Sequence, residues 1–577
     1  MWFTSSPRYC RTVRHPSRPR RSFVPRLEIL EDRTVPSTLK VTNNLDSGAG
    51  SLRDTIKTAK SSDTIVFAPS LNGQTITLTS GELAISNSMD IEGPGSGLLA
   101  ISGNDTYRVF DISQGLTVTI TGLTITHGQV QAGTTDAGGN GGGGILNAGS
   151  LTIANDVLSS NQSDTHGGAI SNGPAAVLTV TDSLFTGNEV MAKVNAAHVE
   201  GGAIWSSGES STATVIGSTF IGNRVIGGNG QVSSNGKVLI GVALGGAIHN
   251  DGKSTLTVQN STFIGNQAIG GNNDSAGKNV SSYFLGIGAG GAITNDEGLL
   301  LVVSGCTFAY NQAIGGSNNT GDSSGFGYAG LGRGGALSTF SGAVAITNCT
   351  FDHNEALGGN GNTGGGALLV GVGDGGAILS DPFGFAPHPL TVSNSTFTNN
   401  QAIGGAGNTA GLFVGDGMGG GLENFRGATA TVTGSTFSGN SATGGAGGAG
   451  QNGGDGLGGA IANLEGSTLT VSGCTLSGNS ATGGVGGAGA NGGNGFGGGI
   501  YNDGTSTLTM TGSTITSNSA TGGAAGNGGS AGEGIGGGAY FAVGGSVCLD
   551  AFAQANVKKN QASTSYDDIF GDFTTCS

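Results

Sequence analysis

The hydrophobic positions of this chain recur in units of one kind, written clearly as GAIHNDGKSTLTVQNSTFIGNQAI over residues 246–269. The same order returns as GAIANLEGSTLTVSGCTLSGNSAT over 459–482 and as GGIYNDGTSTLTMTGSTITSNSAT over 498–521. Within a unit, apolar residues alternate with polar ones, as in Leu256-Thr257-Val258. Alternation with a period of two predicts β-strands that bury one face, and repetition of a whole unit predicts a solenoid.

Three columns of residues define the repeat. Each unit contains one Asn, in the series Asn161, Asn188, Asn223, Asn266, Asn311, Asn354, Asn400, Asn440, Asn479, Asn518 and Asn560. Three positions earlier stands an apolar residue, in the series Leu158, Phe185, Phe220, Phe263, Phe308, Phe351, Phe397, Phe437, Leu476, Ile515 and Val557. Further upstream, usually after Gly-Gly, is a second apolar column of Ile145, Ile170, Ile204, Ile248, Ile293, Leu337, Ile378, Leu422, Ile461, Ile500 and Tyr540.

One unit therefore holds three short strands separated by turns, and the 25 residues from Ile145 to Ile170 suit one coil of a β-helix. We predict an all-β fold, a right-handed parallel β-helix in which like residues stack about 4.8 Å apart. The Phe and Ile columns fill the interior. The Asn column is predicted at a turn, where Asn tolerates a left-handed backbone and stacked amides can form a hydrogen-bonded ladder.

Glycine-rich inserts lengthen the later units, in which the Asn residues are 35–46 positions apart. Three of them are GGAGGAGQNGGDGLGG (444–459), GGVGGAGANGGNGFGG (483–498) and GGAAGNGGSAGEGIGG (522–537). All fall at the same point of the coil, so we expect a row of Gly-rich loops on one face of the solenoid. The alternative is that each insert forms a second coil. Loops stacked on one face commonly carry the binding function of repeat proteins.

The two ends of the solenoid need covers, because an open β-helix exposes its core and unpaired strand edges. Residues 38–130 are predicted to form the N-terminal cap and first coils. Within them, SLRDTIKTAK (51–60) predicts a short amphipathic helix with Ser51 as N-cap. Residues 131–562 hold the repeats, and residues 563–577 are predicted to close the C-terminal end. Cys548 and Cys576 flank that end, and the sequence allows a disulfide between them.

Composition agrees with a long β-solenoid. Of 577 residues, 118 are Gly, and only 10% are charged. The net charge is −15, yet the first 37 residues hold eight Arg and three acidic residues, so the acidity lies in the repeats. An acidic body argues against nucleic acid as a partner. No run of 18 apolar residues occurs, which argues against a transmembrane helix.

The basic leader, residues 1–37, is predicted to be disordered or an export signal. It lacks the apolar core of an ordinary signal peptide. Its segment RLEILEDRTVPS (26–37) resembles the LExLEDRxxPS signature at the start of many exported planctomycete proteins. That resemblance implies export to the cell surface or the extracellular space.

The body of the chain carries a second resemblance. SLRDTI, DTIVF, TITLTSGELAI, IEGPG, ISGN, RVFDI and LTITHG occur in that order across 51–128. They resemble the start of bacterial right-handed parallel β-helix proteins of the choice-of-anchor type. GGAI followed by FxxN, as in Gly245–Ile248 with Phe263–Asn266, resembles the repeats of polymorphic outer membrane proteins. Those proteins end in a membrane barrel, for which this sequence shows no strand series, so anchoring by that route is not implied.

Residues that could carry chemistry are few. The seven His are His15, His127, His166, His198, His249, His353 and His388. They share no column, and each is predicted to be a single exposed turn residue. Asp374, Asp416 and Asp455 each stand near Gly-Gly in consecutive units. Stacked carboxylates could bind Ca²⁺, although solvated turn acids are the favoured interpretation. No catalytic, cofactor-binding or metal-binding residue is assigned.

These observations predict an exported, non-enzymatic β-helix protein of the cell surface or extracellular matrix, with a loop-bearing face for adhesion or for binding a surface polysaccharide or protein. The alternative is a polysaccharide lyase or glycoside hydrolase on the same scaffold, because such enzymes need convergent acidic or basic side chains. A cleft lined by three or more such side chains would support the alternative.

Overall fold

The computed structural model describes residues 36–130, 141–193, 198–233, 236–277, 280–321, 326–382 and 388–576. The chain divides into two units, Met1–Pro36 and Ser37–Ser577. The predicted leader, residues 1–37, lies almost entirely outside the described residues, and its export function stays a prediction. Everything below concerns the second unit.

The second unit is a parallel β-helix, as the alternating pattern predicts. One coil runs through the strands Ile248–Asn250, Thr255–Gln259, Thr262–Ile264 and Gln267–Ile269. Each strand pairs in parallel with its counterpart one coil away, for example Phe263 with Phe308. Stacking coil on coil hydrogen-bonds the interior strands of a sheet on both sides, so unpaired edges remain only where a sheet ends.

Four long sheets form the walls of the coils. The first has 16 described strands, from Thr38–Val41 to Thr574–Thr575. The second has 14, from Gln74–Thr77 to Val557–Lys558, and the third has 12, from Gln129–Val130 to Gln561–Ala562. The fourth consists of Leu83–Ile85, Phe110–Ile112, Ile145–Asn147, Ile170–Asn172, Ile204–Ser206, Ile248–Asn250, Ile293–Asn295, Leu337–Thr339, Ile378–Ser380, Leu422–Asn424, Ile461–Asn463, Ile500–Asn502, Ala539–Phe541 and Ile569–Phe570.

The two apolar columns fill the interior. The Phe rings from Phe185 to Phe437 stack with centroids 4.4–4.9 Å apart, and each is fully buried. The Ile column is confirmed down to Ile500, but the next member is Ala539, which pairs with Ile500. The prediction of Tyr540 there was wrong by one residue. Tyr540 pairs with Tyr501 and faces away from the core, because the side chains of a strand alternate between its two faces.

The Asn column forms a continuous ladder of amide hydrogen bonds. Asn354 Nδ2 donates to Asn400 Oδ1 at 2.9 Å, and the same bond links each Asn to the next from Asn161 to Asn560. The predicted left-handed backbone falls one residue earlier, as at His353, where φ is 52°. The turn residue takes the left-handed conformation, so that the following Asn can point into the core and stack.

Helices and a disulfide lie near the ends. The N-terminal helix, Leu52–Thr58, is capped by Ser51, whose hydroxyl accepts from the Asp54 amide, and it buries Leu52 and Ile56 in the core as predicted. A 3-10 turn spans Pro69–Leu71. A second helix, Ala551–Asn556, was not predicted. Cys548 and Cys576 form a disulfide.

The inserts form an ordered layer of their own. A fifth sheet consists of His198–Glu200, Val242–Leu244, Gly288–Ala289, Gly332–Arg333, Gly373–Asp374, Gly417–Met418, Gly456–Leu457, Gly495–Phe496 and Gly534–Ile535. A sixth contains Val232–Ser233, Gly236–Ile240, Ser275–Ala276, Val280–Leu285, Thr320–Gly321, Phe326–Ala329, Thr363–Val370 and Thr409–Val414. We call these two sheets and the turns between them the insert layer.

The last three inserts contain little regular strand, yet they stack in register through glycine backbones. Gly484 N donates to Gly454 O of the preceding insert at 2.8 Å, and Gly493 N donates to Gly484 O of its own insert at 2.8 Å. Backbone hydrogen bonds therefore join each insert both to itself and to the insert before it. A Cβ at Gly493 would collide with the Gly454 carbonyl. The glycines are therefore required for close backbone approach, and both predicted alternatives hold in part: the inserts occupy one face and also repeat as coils.

Cys306 and Cys349 stand two positions before the inward Phe of successive units, so the alternating pattern predicts that both are buried; parallel Cβ vectors would strain a bridge, so free thiols are expected. Both are free and 1–2% exposed, as is Cys474, which confirms this prediction. Burial raises the pKa of the Cys474 thiol, which opposes formation of the reactive thiolate. We expect all three to resist alkylation in the native protein and to react after denaturation without reductant. Peptide mapping after differential alkylation checks this. Rapid native labelling, or a Cys306–Cys349 disulfide in the map, would contradict the register.

Among the described residues, neither helix is long enough or apolar enough to cross a membrane.

Candidate functional site: a polar cluster beneath the insert layer

The outer face of the fourth sheet meets the insert layer. In the strand Ile248–Asn250, Ile248 faces the main core, so its neighbour His249 faces the opposite way. Because the insert layer covers this face, a second apolar cluster forms between the two. It includes Val242, Leu244, Phe284, Ile287, Tyr328, Phe340, Leu379, Met418, Phe425 and Leu457. At the N-terminal end of this second core, polar side chains replace apolar ones.

Glu200 is the centre of this polar cluster. It ends the first strand of the fifth sheet and is 4% exposed. His198 Nε2 lies 3.1 Å from its Oε1, and His166 Nδ1 lies 3.3 Å from its Oε2. Trp205 Nε1 donates to Oε2 at 2.7 Å, and its indole stacks on the His166 ring with centroids 4.7 Å apart. Three coils thus contribute side chains to one carboxylate.

His249 completes the cluster from the next coil. Its Nε2 lies 3.6 Å from Glu200 Oε1, and the residue is fully buried. Its backbone position follows from register, since Trp205 pairs with His249 in the fourth sheet. Neither ring nitrogen of His249 has a hydrogen-bond partner among the described residues.

Two aspartates stack beside the cluster. Asp251 and Asp296 each follow a strand of the fourth sheet, and the Asp296 amide donates to the Asn250 carbonyl one coil before it. Glu200, His249 and Asp251 each offer a ligand atom, and the three atoms lie within 4.8 Å of one another. Three ionisable side chains therefore converge, with Asp296 beside them.

The acidic groups of the cluster differ in the direction of their pKa shifts. Burial would raise the pKa of Glu200, but the neighbouring His249, His166 and His198 hold that pKa well below its ordinary value. The hydrogen bond to Glu200 raises the pKa of His198. Burial, followed by repulsion from Asp251 and Glu200, raises the pKa of Asp296 to about 7. A carboxyl group with a lowered pKa and one with a raised pKa therefore share one site.

A cavity of about 250 Å³ opens onto these residues. Its lining combines acids, bases and aromatic rings: His198, Glu200, Asp251, Asp296, Glu297, Lys237, Arg333, Phe284 and Phe340, with aliphatic Leu239, Val242, Leu244 and Ile287. Lys237 Nζ lies 5.3 Å from the centre of the Phe284 ring. We call this cavity the insert pocket. It meets the condition set out above for a cleft with three or more convergent charged side chains.

A buried ion-pair network closes the far side of the insert pocket. Arg333, 1% exposed, donates from Nε to Asp374 Oδ2 at 2.9 Å and from Nη2 to Asp381 Oδ2 at 2.7 Å. Arg426 Nε donates to the other Asp381 oxygen at 3.0 Å. The Arg333 guanidinium also lies 5.5 Å from the ring centres of Tyr328 and Phe340. The network holds Arg333 in place at the pocket wall.

The predicted acidic series does not form one column. Asp374 pairs in register with Met418, whereas Asp416 and Asp455 lie two positions earlier in their coils and stack on each other. All three are largely buried, so the favoured interpretation as solvated turn acids was wrong. Asp416 accepts from the Asp455 amide at 2.7 Å, and Asp455 accepts from the Asn494 amide at 2.6 Å. Backbone amides thus donate to the Asp416 and Asp455 carboxylates, whereas Asp374 pairs with Arg333.

The interpretation of the histidines also needs correction. His166, His198 and His249 converge on Glu200, and His388 is buried, whereas His127 and His353 lie at left-handed turns. His15 lies outside the described residues. The convergence was missed because each histidine occupies a different strand position and the inserts between them vary in length. One signal was present: the residues after Ile in GGAIW and GGAIH face away from the main core, so Trp205 and His249 lie beside each other on the outer face of the fourth sheet.

The sequence matches no family model and no curated protein. Among solved structures, it is similar to the catalytic unit of a GH87 alpha-1,3-glucanase from Streptomyces thermodiastaticus, with 13% identity over 83% of this chain and 68% of that chain, at a TM-score of 0.36. It is also similar to an alginate lyase from Paenibacillus sp., with 13% identity over 54% of this chain and 99% of that chain, at a TM-score of 0.27. A third similar structure is tailspike protein 3 of bacteriophage CBA120, with 10% identity over 88% of this chain and 58% of that chain, at a TM-score of 0.27. At these values the similarities carry no argument about activity.

Proposed function

We propose that this protein is an exported β-helix of the cell surface or extracellular matrix that binds a polysaccharide at the insert pocket. The observation that carries the proposal is the lining of that pocket. Sugars present many hydroxyl groups and apolar ring faces, so their sites combine hydrogen-bonding side chains with aromatic rings. Lys237, Asp251, Asp296 and Phe284 supply both kinds of contact. Export rests on the resemblance of residues 26–37 to the planctomycete signature.

A panel of soluble polysaccharides cast into native gels tests the binding. We expect at least one polysaccharide to retard the protein, and Lys237→Ala to weaken the retardation by about tenfold, because it removes an exposed cation at the mouth of the pocket. Lys253→Ala is the matched control, since Lys253 is an exposed turn residue of a neighbouring coil and does not line the pocket. Equal retardation of both variants, or none for any polysaccharide, would contradict the proposal.

A second candidate function is cleavage of the bound polysaccharide. The convergence of Glu200, Asp251 and Asp296 favours it, because hydrolysis of a glycosidic bond uses a pair of carboxyl groups in one site. The pure protein would then release reducing or unsaturated sugars, and Asp296→Asn would abolish the release. Binding without any release retains the non-enzymatic function.

A further inference from the structure

From this arrangement we infer that Glu200, His249 and Asp251 form a binding site for a transition-metal ion of the Zn²⁺ class, with His198 hydrogen-bonded to Glu200 beside it. The inference stands on the cluster itself and does not depend on which ligand the insert pocket takes.

The first argument is spacing. Bonds of about 2.0–2.2 Å from zinc to nitrogen and oxygen place neighbouring ligand atoms of a tetrahedral site about 3.3 Å apart. Glu200 Oε1 lies 3.1 Å from His198 Nε2 and 3.6 Å from His249 Nε2. The ligand atoms of Glu200, His249 and Asp251 all lie within 4.8 Å of one another. One ion can thus reach Glu200, His249 and Asp251 after small side-chain rotations.

The second argument is the unpartnered imidazole. His249 is 0% exposed, and neither of its nitrogens has a hydrogen-bond partner among the described residues. A buried polar group without a partner is costly, and folded proteins rarely leave one. A metal ion bonded to Nε2 would satisfy it. The main-chain position of His249 cannot shift to relieve the cost, because the strand Ile248–Asn250 is bonded on both sides.

The donor atoms select the class of ion. Imidazole nitrogen together with carboxylate oxygen suits Zn²⁺ and its transition-metal neighbours, whereas Ca²⁺ takes six to eight oxygens. The site also opens on the insert pocket, which Glu200, Asp251 and His198 line. An ion held there would have one side free to meet an oxygen atom of a pocket ligand.

Cobalt provides a probe that reports geometry as well as binding. We expect the full-length protein, first freed of metal by a chelator, to bind one equivalent of Co²⁺ with the visible bands of a tetrahedral site. The near-ultraviolet band of a cobalt–thiolate bond should be absent, which distinguishes the proposed site from a site with a cysteine ligand. Added Zn²⁺ should bleach the bands.

The variants Asp251→Asn and His249→Ala should weaken Co²⁺ binding by more than about tenfold. Asp251 is only half-buried, so its variant keeps the test open if His249→Ala fails to fold. Asp503→Asn is the matched control, because Asp503 follows Asn502 at the same point of a later coil, where Tyr501 stands in place of the histidine. No tetrahedral spectrum, or a spectrum that survives in Asp251→Asn, would overturn the inference.

Discussion

Phe351→Asp is expected to unfold the central coils of the solenoid. The Phe351 ring is fully buried and stacks between Phe308 and Phe397, with centroids 4.9 and 4.8 Å away. The variant loses the ring contacts and places a carboxylate where no partner can reach it. Each loss costs several kcal/mol, so we expect the free energy of unfolding to fall by more than about 4 kcal/mol.

Urea unfolding followed by circular dichroism measures the loss, and hydrogen exchange locates it. Because each coil contacts only its neighbours, protection should vanish first in the coils around residue 351 and persist near both ends. Phe351→Leu is the matched control: Leu476 occupies the same column naturally, so this variant should cost only about 1–1.5 kcal/mol. If the Asp variant unfolds like the wild type, the Phe column does not face the core.

Arg333→Met is expected to destabilise the insert layer in a pH-dependent way. Arg333 bridges Asp374 and Asp381, and all three are at most 1% exposed. Asp381 keeps Arg426 in the variant, but Asp374 is left as an uncompensated buried charge. Removal of one partner of a buried ion pair typically costs about 3–5 kcal/mol.

The direction of the pH effect follows from Asp374. Burial already raises the pKa of Asp374 to about 6 in the presence of Arg333. Loss of the cation raises this pKa further, and the nearby Asp381 adds repulsion. A folded-state pKa above the unfolded value means that stability is present at low pH and is lost as the pH rises through the folded pKa. The variant should therefore lose more stability relative to the wild type at pH 8 than at pH 5.

Thermal unfolding at both pH values tests this expectation. Arg333→Met with Asp374→Asn should recover much of the stability, because the neutral amide removes the buried charge. Arg224→Met is the surface control: Arg224 pairs with Glu189, but half of its side chain is exposed, so its loss should cost less than about 1 kcal/mol at either pH. A loss for Arg333→Met that is equal at both pH values would mean that Asp374 is not the group left unpaired.

Local patterns in the chain were enough to predict the solenoid. The Phe, Ile and Asn columns recur at fixed positions within each coil, so the register of coil on coil could be derived from the sequence, and only Tyr540 was misplaced, by one residue. The helix capped by Ser51 and the buried free thiols of Cys306 and Cys349 were also predicted from the sequence. Stacking of like residues turns a repeat in sequence directly into a contact in space.

The candidate site was decided by tertiary structure alone. Glu200 and His249 are neighbours only because inserts of different length return to the same sheet and cover the outer face of the fourth sheet. Glycine carries no side-chain pattern, so the sequence does not indicate whether an insert extends into solvent or folds back. Backbone hydrogen bonds between glycines, such as Gly493 to Gly484, determine that it folds back. Once it does, outward residues that a simple solenoid would expose become a buried second layer, and acids and histidines far apart in sequence come to share one pocket.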